Sequence, residues 1–329
     1  MFKGQRALGL SHGIMRADGP MLEKLRREGL CMIQDIGQHR LSNHFVTKQP
    51  LADSLVLCCR AMEFLARLSG DKSRDNSGRL LGGSLSLPRV ADFGVGPGEL
   101  ELVYLLSVDD VDLFLARAQD VPAPSGFSWE QLRDLRMAEP RWLAFAAATG
   151  CQLADWYRLN RFCGVCGHPT ELALTSREIV CPACGNIIYP RINPCVIVGV
   201  LDGSHDHLLL TRYAPLHHPF PNYALVAGYT EIGETLEQTV KREVAEEVSL
   251  TVHNMRYWTD QPWPFSSAIL AGFWCEVTGS LDLSVDHSEL KDAVWMSREE
   301  IPMPRKDSST LTNAMITAFA TGQLTYPRS

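Results

Sequence analysis

Four cysteines in two short pairs limit what this chain can fold into more than any other feature. Cys163-Gly-Val-Cys166 and Cys181-Pro-Ala-Cys184 stand fourteen residues apart. Each CxxC turns tightly enough to offer two thiolates to one ion, and Gly167 and Gly185 relieve the knuckle after each pair. Two knuckles complete a tetrahedral four-sulfur site, which suits Zn²⁺. A redox CxxC needs only one pair, placed at a helix start, so the reading here is one structural zinc per chain. Four thiolates leave no open coordination position; this zinc holds structure and does not catalyse. A β-hairpin across residues 171–180 fits the spacer.

The remaining cysteines (Cys31, Cys58, Cys59, Cys151, Cys195, Cys275) are scattered among ten in all. The first seventeen residues carry Lys3, Arg6 and Arg16 with no acid, a faintly transit-like composition, but lack a continuous apolar stretch and read as an ordinary N-terminus. The absence of a secretory signal leads to the expectation of a reducing, cytoplasmic location, where unpaired cysteines serve as small core hydrophobes. A net charge of −7 excludes a general basic field for long nucleic acid. No apolar run reaches the roughly 18 residues of a membrane span. At 329 residues, with 45% apolar and 21% charged side chains, about two globular domains are expected.

Residues 1–128 carry no motif tied to chemistry and are read as a divergent N-terminal α/β domain. Leu55-Val56-Leu57 and residues 102–106 read as strands, and Asp109 and Asp110 as the cap of a helix through Leu113, Phe114 and Leu115. GVGPG (94–98) lacks phosphate-loop spacing and reads as a turn. VPAPSG (121–126) marks a boundary, followed by a helical connector (129–160), the zinc ribbon (161–193) and a C-terminal domain (194–329). There, strands at 195–201, 208–211 and 268–277 alternate with helices at 235–248 and 309–320, which suggests an α/β sandwich. His205, His207, His217 and His218 fit no tight metal site and read as surface residues.

Residues 228–250, GYTEIGETLEQTVKREVAEEVSL, place Glu243, Glu246 and Glu247 at i, i+3 and i+4 on one helical face, beside an apolar register of Leu236, Val240 and Val244. Three like charges repel unless cations bind there, and hard carboxylate oxygens at this density suit Mg²⁺ or Mn²⁺. The segment resembles the Nudix box, G-x5-E-x7-R-E-U-x-E-E-x-G-U, where U is apolar. Gly228, Glu234, Arg242, Glu243, Val244, Glu246, Glu247 and Leu250 fall on the pattern, and Ser249 stands where the box has Gly. The resemblance implies a Nudix α/β/α sandwich with a mixed sheet. It implies that Glu243, Glu246 and Glu247 hold the catalytic divalent metals and that Glu234 pairs with Arg242 to orient the helix. It also implies hydrolysis of a nucleoside diphosphate linked to another group.

Downstream, Gln261-Pro262-Trp263-Pro264-Phe265-Ser266-Ser267-Ala268 resembles the SQPWPFPxS signature of the NADH pyrophosphatase branch, which also carries a four-cysteine ribbon before its Nudix domain. That resemblance implies a substrate-binding role for the array and nicotinamide stacking by Tyr229 and Tyr189. It further implies metal ligation by the Ala227 carbonyl and by Glu289, and a phosphate contact from Arg133. The implied reaction is hydrolysis of NADH or NAD⁺ to the (reduced) nicotinamide mononucleotide and AMP. Removal of NAD caps from RNA by the same chemistry is an alternative, as is a non-catalytic nucleotide-binding scaffold, and a homodimer is expected. Asp260, Ser266 and Ala268 depart from the signature's Ser, Pro and Ser, and are expected to weaken discrimination of NADH from NAD⁺ and ADP-ribose.

Overall fold

A computed structural model describes residues 32–70, 73–74, 80, 82–96, 98–118, 121–214, 223–303 and 309–324. The N-terminal basic segment, Cys31, His217 and His218 lie outside the described residues.

The C-terminal half is organised by one strand. Asn193–Leu201 is buried on both faces over its last seven residues, as expected of a central strand rich in Val and Ile. It pairs in parallel with Ala268–Val277 and antiparallel with His207–Tyr213 and Val226–Tyr229. Val252–Trp263 and Leu290–Ser297 complete a six-stranded mixed sheet. Alternation along the central strand sends Val196, Val198 and Val200 to one face and Cys195, Ile197 and Leu201 to the other. The first face packs Val240, Val244 and Val248 of the helix Leu236–Val248; the second packs Leu311, Met315 and Phe319 of the helix Leu311–Ala320. The expected α/β/α sandwich with a mixed sheet is present.

The N-terminal half has two small sheets, one of Leu41–Ser42, Leu55–Leu57, Leu102–Val108 and Val111–Ala116, the other of Cys59–Arg60, Glu63–Ser69, Ser84–Ser86 and Ser128–Gln131. Against them lies α1, Arg141–Leu159, whose alanines and Gly150 permit close approach. A Cβ on Gly150 would stand 2.5 Å from Leu57 Cδ2. The two helices of the C-terminal half are α2 (Leu236–Val248) and α3 (Leu311–Ala320).

Two local expectations change. The helix expected after Asp109 is the second strand of a hairpin: Val108 pairs with Val111, and Asp109 turns the chain at φ 51°. Two-residue hairpin turns favour Asp for that reason, while the run Leu113-Phe114-Leu115 is buried throughout and gives no alternation to read. Nor does a helix begin near residue 129. Ser128–Gln131 is a strand on Glu63–Ser69, a 3-10 turn follows at Leu132–Arg136, and α1 starts after Pro140. Both the strand and α1 therefore pack into the N-terminal unit.

Candidate functional site

The ribbon's cysteines converge. Gly167 and Gly185 adopt φ 75° and 74°, and their N–H groups close onto the Cys163 and Cys181 carbonyls at 2.8 and 2.9 Å. The knuckles are joined by the hairpin Glu171–Leu172 and Ile179–Val180. Cys163 and Cys184 sulfurs are 3.7 Å apart, Cys166 and Cys181 sulfurs 3.4 Å, and all four lie within 4.8 Å of one another. A tetrahedron of ~2.3 Å Zn–S bonds has sulfur edges of about 3.8 Å, so the donor set fits zinc. Backbone N–H groups of Val165 and Cys166 favour the Cys163 thiolate and lower its pKa to about 6.

The glutamate helix is fixed at its start by a reciprocal cap, Gln238 N–H on Thr235 Oγ1 and Thr235 N–H on Gln238 Oε1. Arg242 is its hub. The guanidinium donates to both oxygens of Glu234 (2.7 and 2.9 Å), to Glu243 (2.7 Å), to Glu246 (3.0 Å) and to the Tyr229 carbonyl (2.9 Å). Glu234, with Arg242 beside it, is held at a pKa of about 2. The expected Glu234–Arg242 pair is therefore formed, and it ties α2 to the loop after Val226–Tyr229.

Glu243 and Glu247 turn inward while Glu246 faces solvent. The Glu243 carboxyl lies against Gly228: a Cβ there would fall 1.9 Å from its carbon, so any other residue would displace the carboxyl. Burial raises the Glu243 pKa; for Glu247, 2% exposed, burial and the Glu243 charge push it up to about 8. Glu247 Oε2 is buried without a hydrogen-bond partner. An orphaned buried carboxylate oxygen is costly unless a cation satisfies it, which fits the divalent-metal reading. Ala227 meets Glu247 through its backbone, and Glu289 acts on both Glu243 and Glu247 through its charge. The structure thus brings Gly228, Ala227, Glu243, Glu247 and Glu289 together. Among the described residues no carboxylate trio closes within the 4.8 Å of the cysteine cluster; Arg242 occupies the space between Glu243 and Glu246.

Tyr189 and Tyr229 are 62% and 51% exposed, so neither is a core residue. The signature array divides by burial. Gln261 is fully buried, donating to the Ser309 carbonyl (2.9 Å) and Gln34 Oε1 (3.3 Å) while accepting from Leu311 N–H (2.7 Å). It fastens the start of α3. Pro264 and Ala268 are also buried, and a hydroxyl at 268 would be enclosed with them. Trp263 and Phe265 make an edge-to-face pair at 4.8 Å and pack on Ile33, Ile36, Trp142 and Phe145, joining the two halves. Pro262 is half-buried beside Trp263, Ser266 is exposed, and Ser267 turns at φ 52° with its carbonyl on Asn193 N–H at 2.7 Å. Asp260 receives the Tyr257 hydroxyl.

Arg133 is exposed; Arg136, one turn on, lies 5.1 Å over the Trp263 ring. The i+3 spacing in the 3-10 turn was the available signal, and a helical reading of the segment hid it. Tyr213 was also missed. Its half-buried ring has its pKa raised first by burial and then by the Glu247, Cys195, Glu289 and Glu243 charges, and the pairing of Tyr213 with Leu290 sets its strand beside Glu289. His205 and His207 are not free surface residues: they pair with Glu276 (3.3 Å) and Asp202 (3.0 Å).

Known proteins resemble the chain in these regions. Residues 192–315 match the family described as NUDIX domain, and residues 158–189 that described as NADH pyrophosphatase zinc ribbon domain. The ribbon match thus lies directly in front of the NUDIX-domain match. The NAD-capped RNA hydrolase NudC of Salmonella typhi is 40% identical over 157 residues, 48% of this chain and 59% of that protein. Its namesake from Pectobacterium atrosepticum is 40% identical over 156 residues, 47% and 58% of the two chains. The chain therefore spans about three-fifths of the length of these relatives. A NUDIX hydrolase structure from Nitrosomonas europaea shares 25% identity over 48% of this chain and 90% of its own, with a TM-score of 0.40.

Proposed function

We propose that the chain hydrolyses the pyrophosphate bond of NADH or NAD⁺, giving the (reduced) nicotinamide mononucleotide and AMP. The observation that carries this reading is Glu247, a buried carboxylate with an orphaned oxygen beside Glu243, set on the arginine-clamped α2 next to Gly228. Mg²⁺ or Mn²⁺ held by Glu243, Glu246 and Glu247, with the Ala227 carbonyl and Glu289, would neutralise the pyrophosphate and activate a water. The chain's own residues prepare that place: Arg242 fixes Glu243 and Glu246, Gly228 leaves room for a carboxylate against backbone, and burial excludes bulk water from Glu247. Exposed Tyr189 and Tyr229 are suited to stack on the nicotinamide ring. Trp263 and Phe265 support the reading indirectly, as the rigid packing under the neighbouring loop.

The relatives' name favours a second substrate, NAD-capped RNA, cleaved at the same bond. An acidic chain offers little general attraction to RNA, so that reading rests on recognition of the cap itself. A homodimer in which Tyr189 completes the partner's site, and a cytoplasmic location suited to cysteines that form no disulfide among the described residues, belong to the same proposal. No described helix is long and apolar enough to cross a membrane. The division 1–128, 129–160, 161–193 and 194–329 is proposed with one change supported by packing: residues 129–160 join the N-terminal unit.

The test is incubation with NADH, NAD⁺, ADP-ribose and NAD-capped RNA, with and without Mg²⁺ or Mn²⁺, and chromatography of the products. Metal-dependent release of AMP from NADH is expected, with Glu246→Gln and Glu247→Gln lowering turnover by orders of magnitude in a folded protein. Undiminished metal-dependent turnover in both variants would overturn the assignment, and no turnover of any substrate would favour a binding scaffold.

A further inference from the structure

Cys58 and Cys59 are neighbours in sequence but not in environment. Successive strand residues face opposite ways, so Cys58 packs with Val56, Leu65 and Val90, whereas Cys59 turns to α1. There its sulfur lies 2.8 Å from Cys151 Sγ, across 92 residues of sequence. Nothing in the sequence pairs these two cysteines; the sheet and the helix bring them together. A disulfide bond of about 2.05 Å needs the sulfurs to close by less than ~1 Å. Burial raises both thiols, that of Cys58 to about 12, so the 2.8 Å approach to Cys151 is what singles out Cys59.

Cys59 also borders a cavity of ≈ 310 Å³ in the N-terminal unit, and that cavity is cationic. Arg117, Arg158 and Arg161 line it, with Glu101 as the one acid among the lining side chains. Arg117 bonds Glu101 at 2.5 Å and Arg158 bonds Asp155 at 2.8 Å, each through part of its five-donor fork. Arg161 is exposed at the rim. Carboxylates match such a set of guanidinium groups. A small molecule bearing them would be held beside Cys59, the partly exposed residue of the pair.

We propose that Cys59 and Cys151 form a reversible disulfide by exchange with a small carboxylate-bearing disulfide bound in the arginine-lined cavity. The Cys59 thiol loses its proton to solvent and attacks one sulfur of the reagent. The reagent's S–S bond breaks and one thiolate leaves, taking up a proton. The Cys151 thiol, likewise deprotonated, attacks Cys59 sulfur in the mixed disulfide and expels the second thiolate. Two cysteine thiols are oxidised and one disulfide is reduced to two thiols, so the exchange balances. The product ties the Cys59–Arg60 strand to α1, the helix that also packs on Pro264–Ser266. Its closure would stiffen the support of the signature array.

The experiment uses the full chain with its zinc, reduced and then freed of reductant, and oxidised glutathione as the acidic probe. The disulfide of 2-mercaptoethanol serves as the uncharged control. After alkylation and digestion, mass spectrometry should find a Cys59–Cys151 cross-link that dithiothreitol removes, with Cys58 still alkylated and zinc retained. Thermal unfolding should shift upward on oxidation and return on reduction. Cys151→Ser should trap a glutathione adduct on Cys59, and Cys59→Ser should leave Cys151 reduced, so one variant suffices if the other fails to fold. Arg161→Ala should slow the reaction with glutathione disulfide severalfold and leave the uncharged reagent unaffected. A cross-link through Cys58, or none at all, would overturn the pairing. Equal rates for both reagents in wild type and Arg161→Ala would overturn the role of the cavity.

Discussion

Glu247 shows how a single buried group links stability to ligand binding. Its folded-state pKa of about 8 stands above the 4.5 of an exposed glutamate. Between those values the folded chain holds a proton that the unfolded chain has released. Stability is therefore greatest below about pH 4.5, falls as pH rises towards 8, and levels above it. Glu247→Gln, dialysed free of Mg²⁺ and Mn²⁺ with zinc retained, should melt above wild type at pH 9 by an amount that shrinks towards pH 5. The difference is at most a few kcal/mol, and parallel melting curves across that range would contradict it. Gln261 acts at the same scale for a different reason. Its three buried hydrogen bonds hold Ser309, Gln34 and the first N–H of α3, so Gln261→Ala should cost about 2–3 kcal/mol. Denaturant melts should show that loss, and undiminished stability would contradict it.

At the scale of an element, α2 is well specified at one end and strained at the other. Thr235 and Gln238 cap its start, and Arg242 binds Glu243 and Glu246 of the helix and Glu234 before it. Its last turn ends on Ser249 at φ 60°, ψ 31°, the left-handed conformation that glycine adopts without penalty. Ser249→Gly should relieve the side-chain strain and lose part of that gain to greater unfolded-state freedom, leaving about 0.5–1 kcal/mol of stabilisation. Thermal melts at fixed metal concentration check the sign. The Gly-to-Ser departure touches no ligand, so kcat should be unaffected.

For the whole molecule, the ribbon and the signature array carry the connection between halves. The ribbon follows α1 directly and leads into the central strand at Asn193. Trp263 and Phe265 pack on residues from the N-terminal unit while Arg136 covers the Trp263 ring. A ribbon of this size has almost no apolar core of its own, so metal binding and folding are coupled. Elemental analysis should find one zinc per chain, and Cys181→Ser should lose it and lower stability by several kcal/mol. Zinc-free protein with unchanged melting would rule this out.

What the sequence determined by itself was whatever depends on short spacing. Two CxxC pairs specify a four-sulfur site because the chain between paired ligands is too short to do otherwise. Glu243, Glu246 and Glu247 share a helix face because helical geometry alone puts them there, and Glu234 reaches Arg242 within one loop and two turns. Tertiary structure decided what depends on register and burial. It made residues 111–116 a strand, because a partner strand outweighs a possible cap. It separated the signature into Gln261, sealed inside, and Trp263 and Phe265, pressed on the other half. It brought Tyr213 to Glu247 and Cys59 to Cys151, over separations at which chain sequence carries no distance information and only packing of the sheets and α1 fixes who meets whom.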